Sequence, residues 1–346
     1  MNLADLNKIA LAMVAPGKGI LAADESSGTI KKRFDAIKVE STEETRRDYR
    51  EMLFRSTEAM SKYISGVILY DETIWQNAKD ATPLIKLIEA SGAIPGIKVD
   101  EGTQALPNCP GELITVGLDK LAERLKKYYE RGARFAKWRA VIDVGGGTGG
   151  RDIPSMTAIH VNAHALARYA ALCQAAQIVP IVEPEVLMDG DHDIDRCFEV
   201  TSRMLNKTFQ ELRVQRVALE GMILKPNMAI AGKKSGKQAS VEEVAEKTIR
   251  LLKACVPAAV PGIAFLSGGQ SDEQATAHLN AMNRISGLPW RLTFSYGRAL
   301  QAAPQKAWSG KGENVAAGQR AFTHRARMNA LASKGEWETG LEKKAA

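Results

Sequence analysis

The stretch Leu219-Glu-Gly-Met-Ile-Leu-Lys-Pro-Asn227 is a short apolar run that ends on a lysine and is followed at once by a proline. We predict a buried strand from Gly221 to Lys225, because proline lacks the amide donor that a continuing strand needs. A lysine at the tip of such a strand points either into solvent or into a site. Inside a site, burial disfavours the charged ammonium and favours the neutral, nucleophilic amine.

Similar β-rich runs recur along the 346 residues and alternate with segments of helix length. This alternation is typical of parallel βαβ units, and eight strands are the number that closes a (β/α)₈ barrel. We therefore predict an α/β fold in which residues 1–346 form a single TIM-barrel domain. An extra N-terminal helix, a C-terminal helix and a polar, flexible tail at 335–346 complete it. The predicted strands are Gly19–Ala23, Gly66–Tyr70, Ile94–Val99, Arg134–Trp138, Ile178–Glu183, Gly221–Lys225, Ile263–Ser267 and Arg291–Ser295.

Two of the predicted helices begin with a serine that is followed three residues later by a glutamate. This is the pattern of a capping box, and it occurs at Ser41 with Glu44 and at Ser240 with Glu243. The clearest predicted helices are Ser41–Tyr63, Leu118–Arg131, Thr157–Ala176 and Ser240–Cys255.

The composition is that of an ordinary globular protein, with 45% hydrophobic and 25% charged residues. No run approaches the roughly 20 apolar residues of a membrane helix, and Met1–Ala15 lacks the pattern of a secretory signal. Four separate cysteines fit reduced thiols, so we expect a cytoplasmic protein. The net charge of +7 favours an anionic small substrate over nucleic acid, because the basic residues are not clustered with aromatic ones.

Polar residues of catalytic type follow nearly every predicted strand. Active sites of such barrels lie at the carboxyl ends of the strands, so these side chains are expected to meet at one mouth. Three lysines and at least three carboxylates there make structural sense only if they bind something charged. The strand ends carry Asp24, Asp71, Lys98, Asp100, Lys137, Arg139, Glu183, Glu185, Lys225, Ser267 and Ser295.

The ends of the seventh and eighth strands predict a phosphate site. Ser267-Gly-Gly269 and Ser295-Tyr-Gly-Arg298 offer close backbone amides, hydroxyls and a guanidinium just before helices. Barrels often hold a phosphate at this position. A second phosphate is expected near the basic residues Lys32, Arg33, Lys98 and Arg139.

The predicted chemistry centres on Lys225. A neutral amine adds to a ketone, loses water and forms an iminium, which accepts electrons from the adjacent carbon–carbon bond. Lys137 supplies a like charge that favours the uncharged amine. Glu183 is the candidate for shuttling protons, and Asp24 for taking a hydroxyl proton as the bond breaks. These residues predict Schiff-base lyase chemistry.

The sequence resembles class I fructose-1,6-bisphosphate aldolase from about residue 17 to residue 320. The resemblance implies a (β/α)₈ barrel that reversibly cleaves fructose 1,6-bisphosphate to dihydroxyacetone phosphate and glyceraldehyde 3-phosphate in glycolysis and gluconeogenesis. It also implies a homotetramer, and no metal or cofactor beyond the covalent imine. The motifs that carry the resemblance are residues 17–26, 96–100, 135–139, 179–185, 219–227, 265–270 and 292–301.

The resemblance further implies a role for individual residues. Lys225 matches the Schiff-base lysine, Glu183 the acid and base that dehydrates the carbinolamine, and Asp24 the base at the C4 hydroxyl. Supporting roles in the proton network fall on Lys137 and Glu185. One phosphate-binding set is Ser267, Gly268, Gly269, Ser295, Gly297 and Arg298. The other is Ser26, Thr29, Arg33 and Lys98, with Arg139 lining the site.

Two features depart from the family pattern. Animal members end in a tyrosine on a mobile tail that assists proton exchange, whereas this chain ends without one, and Trp337 cannot donate a phenolic proton. The glycine-rich loop 144–151, predicted to be mobile like loop 232–238, is longer than expected. It could alter a subunit contact or the rim of the site.

Two other functions remain open at this stage. The lysine could act on a different phosphorylated ketose or in a transaldolase-like transfer, or the barrel could be a non-catalytic scaffold for polyanionic partners. Three weaker patterns are interpreted structurally. His160 and His164 share a helix face without a third metal ligand, residues 145–150 lack the lysine of a phosphate loop, and residues 189–195 lack the glutamate of a calcium loop. The last segment is predicted to cap a helix that begins at Ile194.

Overall fold

The computed structural model describes residues 1–145 and 153–344, and within them eight parallel strands close a barrel. The strands are β1 (Gly19–Ala23), β2 (Ile64–Leu69), β3 (Ile94–Lys98), β4 (Thr103–Ala105), β5 (Leu113–Thr115), β6 (Phe135–Ile142), β7 (Val179–Val186), β8 (Ile223–Leu224), β9 (Gly262–Phe265) and β10 (Arg291–Tyr296). Around the barrel they follow the order β1-β10-β9-β8-β7-β6-β3-β2, and β4 with β5 forms a separate antiparallel hairpin. The predicted (β/α)₈ barrel is confirmed.

Three neighbouring strands, β6, β7 and β8, differ in length from the predicted strands. β8 begins at Ile223 rather than Gly221, because Leu219–Gly221 forms a 3₁₀ turn, and Lys225 directly follows its last residue. β6 and β7 run past their predicted ends because they pair with each other over their whole length, from Phe135 opposite Val179 to Ile142 opposite Val186.

Helices surround the barrel and join its strands. They are α1 (Leu3–Met13), α2 (Ser27–Ala36), α3 (Glu43–Phe54), α4 (Thr57–Lys62), α5 (Asp71–Trp75), α6 (Leu84–Ala90), α7 (Leu121–Arg131), α8 (Met156–Ala175), α9 (Ile194–Val214), α10 (Val241–Cys255), α11 (Asp272–Asn283), α12 (Arg298–Trp308) and α13 (Val315–Ala332). The described part of the chain contains no helix long and apolar enough to cross a membrane.

The single helix predicted for Ser41–Tyr63 is wrong. Helix α3 ends at Phe54, and a separate helix, α4, begins at Thr57. Between them the Ser56 hydroxyl donates to Met52 O at 3.0 Å and so satisfies a carbonyl at the end of α3. The capping box of α3 uses Thr42 and Thr45 instead of the predicted Ser41 and Glu44.

Two other predicted helix starts are confirmed. The Ser240 hydroxyl accepts from the Glu243 amide at 3.1 Å at the start of α10. The Asp193 side chain accepts from the Arg196 amide at 2.8 Å just before α9, as a cap of Ile194 requires.

The barrel interior changes from apolar to ionic along the strands. Side chains alternate between the two faces of a strand, so every second residue points inward. Near the amino ends of the strands the inward side chains are apolar. They pack against Leu6, Ala10 and Met13 of α1, which closes this end of the barrel. The inward positions are Phe135, Lys137 and Arg139 in β6, and Val179, Ile181, Glu183 and Glu185 in β7.

One close approach inside the barrel requires a glycine. A Cβ atom on Gly96 would lie 2.2 Å from Cε2 of Phe135, so the absence of a side chain in β3 leaves the space that this fully buried ring fills. Sequence alternation alone does not reveal this pairing of a small and a large residue across neighbouring strands.

The end of the described chain packs against the barrel helices. Trp337 is buried, its amide hydrogen-bonds to Asn280 of α11 at 2.9 Å, and its indole donates to Glu342 at 2.9 Å. Arg325 of α13 also pairs with Glu342. The predicted glycine-rich loop lies outside the described residues from 146 onward, as do residues 345 and 346 at the end of the predicted tail.

Candidate active site

All of the residues predicted to act in catalysis or phosphate binding line one cavity of about 670 Å³ at the carboxyl end of the barrel. The cavity is therefore built where the strand ends were expected to meet. The predicted residues in its wall are Asp24, Ser26, Thr29, Arg33, Lys98, Lys137, Arg139, Glu183, Glu185, Lys225, Ser267, Gly268, Gly269, Ser295, Gly297 and Arg298. Asp71, also expected at this mouth, is not among the lining residues; it begins α5 and accepts a hydrogen bond from the Tyr128 hydroxyl at 2.7 Å.

Lys225 points into this cavity and not into bulk solvent. The residue is 3% exposed, its amide donates to Val182 O at 2.8 Å, and its Nζ lies 3.4 Å from Glu183 Oε1. Pro226 follows and has no amide hydrogen, so the strand pairing stops where the side chain enters the site. The amine is thus buried and lies beside a carboxylate.

Lys137 is the cation at the centre of the site. Its Nζ lies 3.0 Å from Asp24 Oδ2 and 3.1 Å from Glu183 Oε2. Burial alone would lower the pKa of Lys137, but Asp24 and Glu183 outweigh burial, so its pKa lies above the ordinary value for lysine. Lys137 therefore stays protonated at neutral pH.

Asp24 is correspondingly held as a carboxylate. Burial alone would raise the pKa of Asp24, but the positive charges of Lys137 and Lys225 outweigh it and hold the pKa well below its usual range. Asp24 accepts a hydrogen bond from Lys137 with its Oδ2 atom.

Glu183 lies between the two lysines, and its Oε2 atom forms no hydrogen bond with any described residue. Oε1 faces Lys225, whereas the buried Oε2 forms an ion pair with Lys137 without the geometry of a hydrogen bond. A buried carboxylate oxygen without a hydrogen bond is energetically unfavourable, so a hydroxyl or a water that donates to it is favoured. Next to it, Glu185 pairs with Arg139.

The turn after β9 and the start of α12 form the predicted phosphate cradle, which comprises Ser267–Gly269 and residues 295–298. Gly268 and Gly269 have φ values of +55° and +78°, which favour glycine. Ser295 Oγ is buried and has no hydrogen-bond partner among the described residues. Arg298 is the first residue of α12, whose unpaired amide groups suit an anion.

Two residues that sequence reasoning left unassigned hold this turn in place. Gln270 donates to Ser267 O from its backbone at 3.0 Å and from its side chain at 2.9 Å. His278 Nδ1 lies 2.5 Å from Gln270 Oε1. Burial lowers the pKa of His278 to about 4, so its imidazole is neutral at pH 7. No spacing in the sequence links α11 to the turn in this way.

Three of the four cations predicted for the second phosphate, Arg33, Lys98 and Arg139, are paired with carboxylates. Lys32 lines the cavity and forms no ion pair within the described residues. Lys98 Nζ lies 2.9 Å from Asp100 Oδ1, and Arg33 pairs with the buried Glu25. Ser26 and Thr29 hydroxyls lie 3.1 Å apart at the start of α2. Glu25, to which sequence reasoning assigned no role, therefore positions Arg33.

The two histidines of α8 do share a face, as predicted. His160 and His164 place their Nδ1 atoms 3.6 and 3.1 Å from the carboxylate of Glu211, which also pairs with Lys207 at 2.8 Å. In the described ranges no cluster of three or more ligand-type side chains is arranged to hold a metal ion.

The barrel and its ionic mouth together define a (β/α)₈-barrel enzyme with a lysine-centred site. Comparison with known proteins narrows this class. The family model described as "Fructose-bisphosphate aldolase class-I" matches residues 5–346. The chain belongs to this family, which confirms the predicted resemblance, and the family is one of carbon–carbon lyases.

Individual relatives agree with the family assignment. A probable fructose-bisphosphate aldolase class 1 of Xanthomonas campestris pv. campestris is 57% identical over 98% of this chain and 100% of its own length. Cytosolic fructose-bisphosphate aldolase 4 of Arabidopsis thaliana is 52% identical over 93% of this chain and 81% of its own. The solved structure of the Plasmodium falciparum aldolase, in complex with TRAP and an inhibitor, has a TM-score of 0.95 at 48% identity, covering 98% of this chain and 96% of that one.

Proposed function

We infer that this chain reversibly cleaves fructose 1,6-bisphosphate to dihydroxyacetone phosphate and glyceraldehyde 3-phosphate, through an imine on Lys225 and without a metal. The observation that carries the proposal is the buried Lys225 amine 3.4 Å from Glu183, in the same cavity as the phosphate cradle. Membership of the class I aldolase family supports the same substrate and reaction.

Imine formation requires a neutral amine, and Glu183 Oε1, 3.4 Å from Lys225 Nζ, is placed to take the proton that makes it neutral. Lys137 keeps its proton because its pKa is raised, burial being outweighed by Asp24 and Glu183. A protonated Lys137 has no lone pair with which to attack the ketone, which leaves Lys225 as the nucleophile of the two lysines. Lys225 therefore attacks the substrate ketone as the free amine and forms a carbinolamine.

Loss of water from the carbinolamine needs a proton donor, and Glu183 fills that role. Its Oε1 faces Lys225 and its Oε2 has no hydrogen bond. As the carbinolamine forms, the attacking amine passes one proton to the ketone oxygen. The carboxyl then gives the proton that it took from the Lys225 ammonium to the departing hydroxyl, so water leaves and a protonated imine remains. The neighbouring Glu185 holds Arg139 at the wall of the cavity and supports the proton network only indirectly.

Cleavage of the carbon–carbon bond needs a base at the C4 hydroxyl, and Asp24 is ionised and available. Its low pKa makes it a weak base while Lys137 is hydrogen-bonded to it. A substrate hydroxyl that displaces Lys137 from Asp24 raises its basicity at the moment the proton is transferred. Electrons from the broken bond move into the iminium on Lys225.

The two phosphates anchor opposite ends of the sugar. One binds at Ser267, Gly268, Gly269, Ser295, Gly297 and Arg298. The other binds near Ser26, Thr29, Arg33 and Lys98, with Arg139 beside it. Within the described chain Arg298 at the first site and Lys32 at the second form no ion pair, whereas Arg33 and Lys98 are paired, so each site keeps one cation free for an anion.

Borohydride trapping tests the proposal. The protein is incubated with fructose 1,6-bisphosphate and borohydride, digested and analysed by mass spectrometry. We expect the reduced adduct on the peptide carrying Lys225 and none in Lys225→Met. An adduct on another lysine would overturn the assignment.

Substrate comparison separates the alternative functions. Cleavage of fructose 1,6-bisphosphate no faster than fructose 1-phosphate would contradict two anion sites and favour a different ketose or a transaldolase-like transfer. Polyanion binding that survives Lys225→Met and disappears in modest salt, with no cleavage, would instead favour a scaffold.

We propose a cytoplasmic homotetramer as the working form. The Arabidopsis relatives named as cytosolic support the location. Sedimentation at several protein concentrations tests the assembly, and a stable monomer would contradict it.

A further inference from the structure

Lys233 lies at the rim of the phosphate cradle, although no motif marks it. It belongs to the loop after β8, and backbone hydrogen bonds tie this loop to the segment that follows β7. Gly232 N donates to His192 O and Lys233 N donates to Met188 O, both at 2.8 Å. The Lys233 side chain thus projects from an anchored backbone.

Two cationic groups converge above Gly269 in the cradle. A Cβ atom built on Gly269 would lie 2.7 Å from Arg298 Nη2 and 2.8 Å from Lys233 Nζ, so both nitrogens are within 2.8 Å of one point. Gly269 therefore leaves open the space between the two cations, and its positive φ disfavours any side chain there. Gly269 and Arg298 both line the cavity.

The two positive charges of Lys233 and Arg298 are neutralised only in part. Lys233 Nζ pairs with Asp189 Oδ1 at 2.8 Å, and both side chains are substantially exposed. Asp189 offsets one of the two positive charges, and within the described chain Arg298 has no carboxylate of its own. Like charges this close repel each other, and a doubly charged anion between them relieves the repulsion.

We propose that Lys233 is a second cationic ligand, beside Arg298, of the phosphate that the cradle receives. Asp189 holds the Lys233 ammonium near the cradle in the free protein, and the phosphate of the substrate takes its place. The inference rests on the proposed aldolase function and adds a residue that favours sugars phosphorylated at the end held by this cradle.

A purely structural role for Lys233 makes a different prediction. If its ion pair only ties two loops together, then Lys233→Met and Asp189→Asn remove the same contact and have the same effect. If Lys233 binds phosphate, the two variants differ in phosphate affinity. Asp189→Asn keeps the Lys233 ammonium and removes the carboxylate that competes with phosphate for it.

The experiment measures kcat and KM for fructose 1,6-bisphosphate and, separately, the binding of inorganic phosphate by calorimetry. The proteins compared are the natural sequence, Lys233→Met, Asp189→Asn and Lys234→Met. Lys234 is the exposed neighbour of Lys233, so its replacement makes the same change in net charge on the same loop.

We expect Lys233→Met to raise KM and the phosphate Kd about fivefold, as for a partly exposed ion pair, with kcat nearly unchanged. Asp189→Asn should raise neither value, and Lys234→Met should match the natural protein. Unchanged phosphate binding in Lys233→Met, or equal losses in Lys233→Met and Asp189→Asn, would overturn the inference. Because phosphate binding is measured without turnover, this result stands apart from a failure of the natural protein to cleave the sugar.

Discussion

Replacement of Lys137 by methionine tests whether the site depends on one buried cation. Lys137 neutralises two carboxylates, with its Nζ 3.0 Å from Asp24 and 3.1 Å from Glu183. At an effective dielectric constant of about 20, each contact is worth roughly 5 kcal/mol of Coulomb energy, which the desolvation of the lysine partly offsets. Breaking a buried pair by removing one partner costs about 3 to 5 kcal/mol, and we expect Lys137→Met to lose stability in that range at pH 8.

The loss should shrink as the pH falls. In the natural protein the pKa of Asp24 is held low, because Lys137 and Lys225 outweigh burial, so Asp24 is ionised between pH 8 and 5 in both the folded and unfolded states and adds no pH dependence there. Without Lys137, burial raises the pKa of Asp24 above the unfolded value. The folded variant then binds the extra proton, and its stability increases as the pH falls through the raised pKa.

Urea unfolding at fixed protein concentration, at pH 8 and at pH 5, measures both effects. Lys247→Met is the matched control, because Lys247 pairs with the exposed Asp195 and its loss should cost less than about 1 kcal/mol at either pH. Borohydride trapping at Lys225 should also slow at least about tenfold in Lys137→Met, since the cation that positions Asp24 and Glu183 beside Lys225 is gone. An equal loss of stability at both pH values, with trapping unaffected, would refute the reasoning.

Two further predictions concern the parts that support the site. His278 is held neutral, since burial lowers its pKa to about 4, so the natural protein should lose up to roughly 3 kcal/mol as the pH falls from 6.5 to 4. His278→Gln should lack this part of the loss, and parallel stability curves for the two proteins would contradict it. Gly96→Ala should destabilise the barrel by about 1 to 3 kcal/mol, because the new methyl meets the ring of Phe135. Gly236→Ala in an open loop should be nearly neutral in thermal melting, and Phe135→Leu should recover part of the Gly96→Ala loss.

Local errors in the prediction have tertiary causes. The break between α3 and α4 has no distinctive sequence signal, because the bond that Ser56 makes to the carbonyl four residues earlier is also made by Ser202 inside the unbroken α9. The 3₁₀ turn before β8 is held by a hydrogen bond from a distant helix, because the Gln174 side chain donates to Ala218 O at 2.7 Å. Neither contact leaves a periodic signal in the chain.

The amino-acid sequence by itself determined the barrel, because the alternation of strands and helices has few ways to bury its apolar faces. It also determined the candidate site, since parallel strands bring their carboxyl ends to one mouth wherever their side chains are polar. Only the tertiary structure decided which charges meet. Lys137 reaches Asp24 across the barrel, and Lys233 meets Arg298 above Gly269. Such contacts depend on ångström-scale distances between elements far apart in the chain, which no sequence spacing encodes.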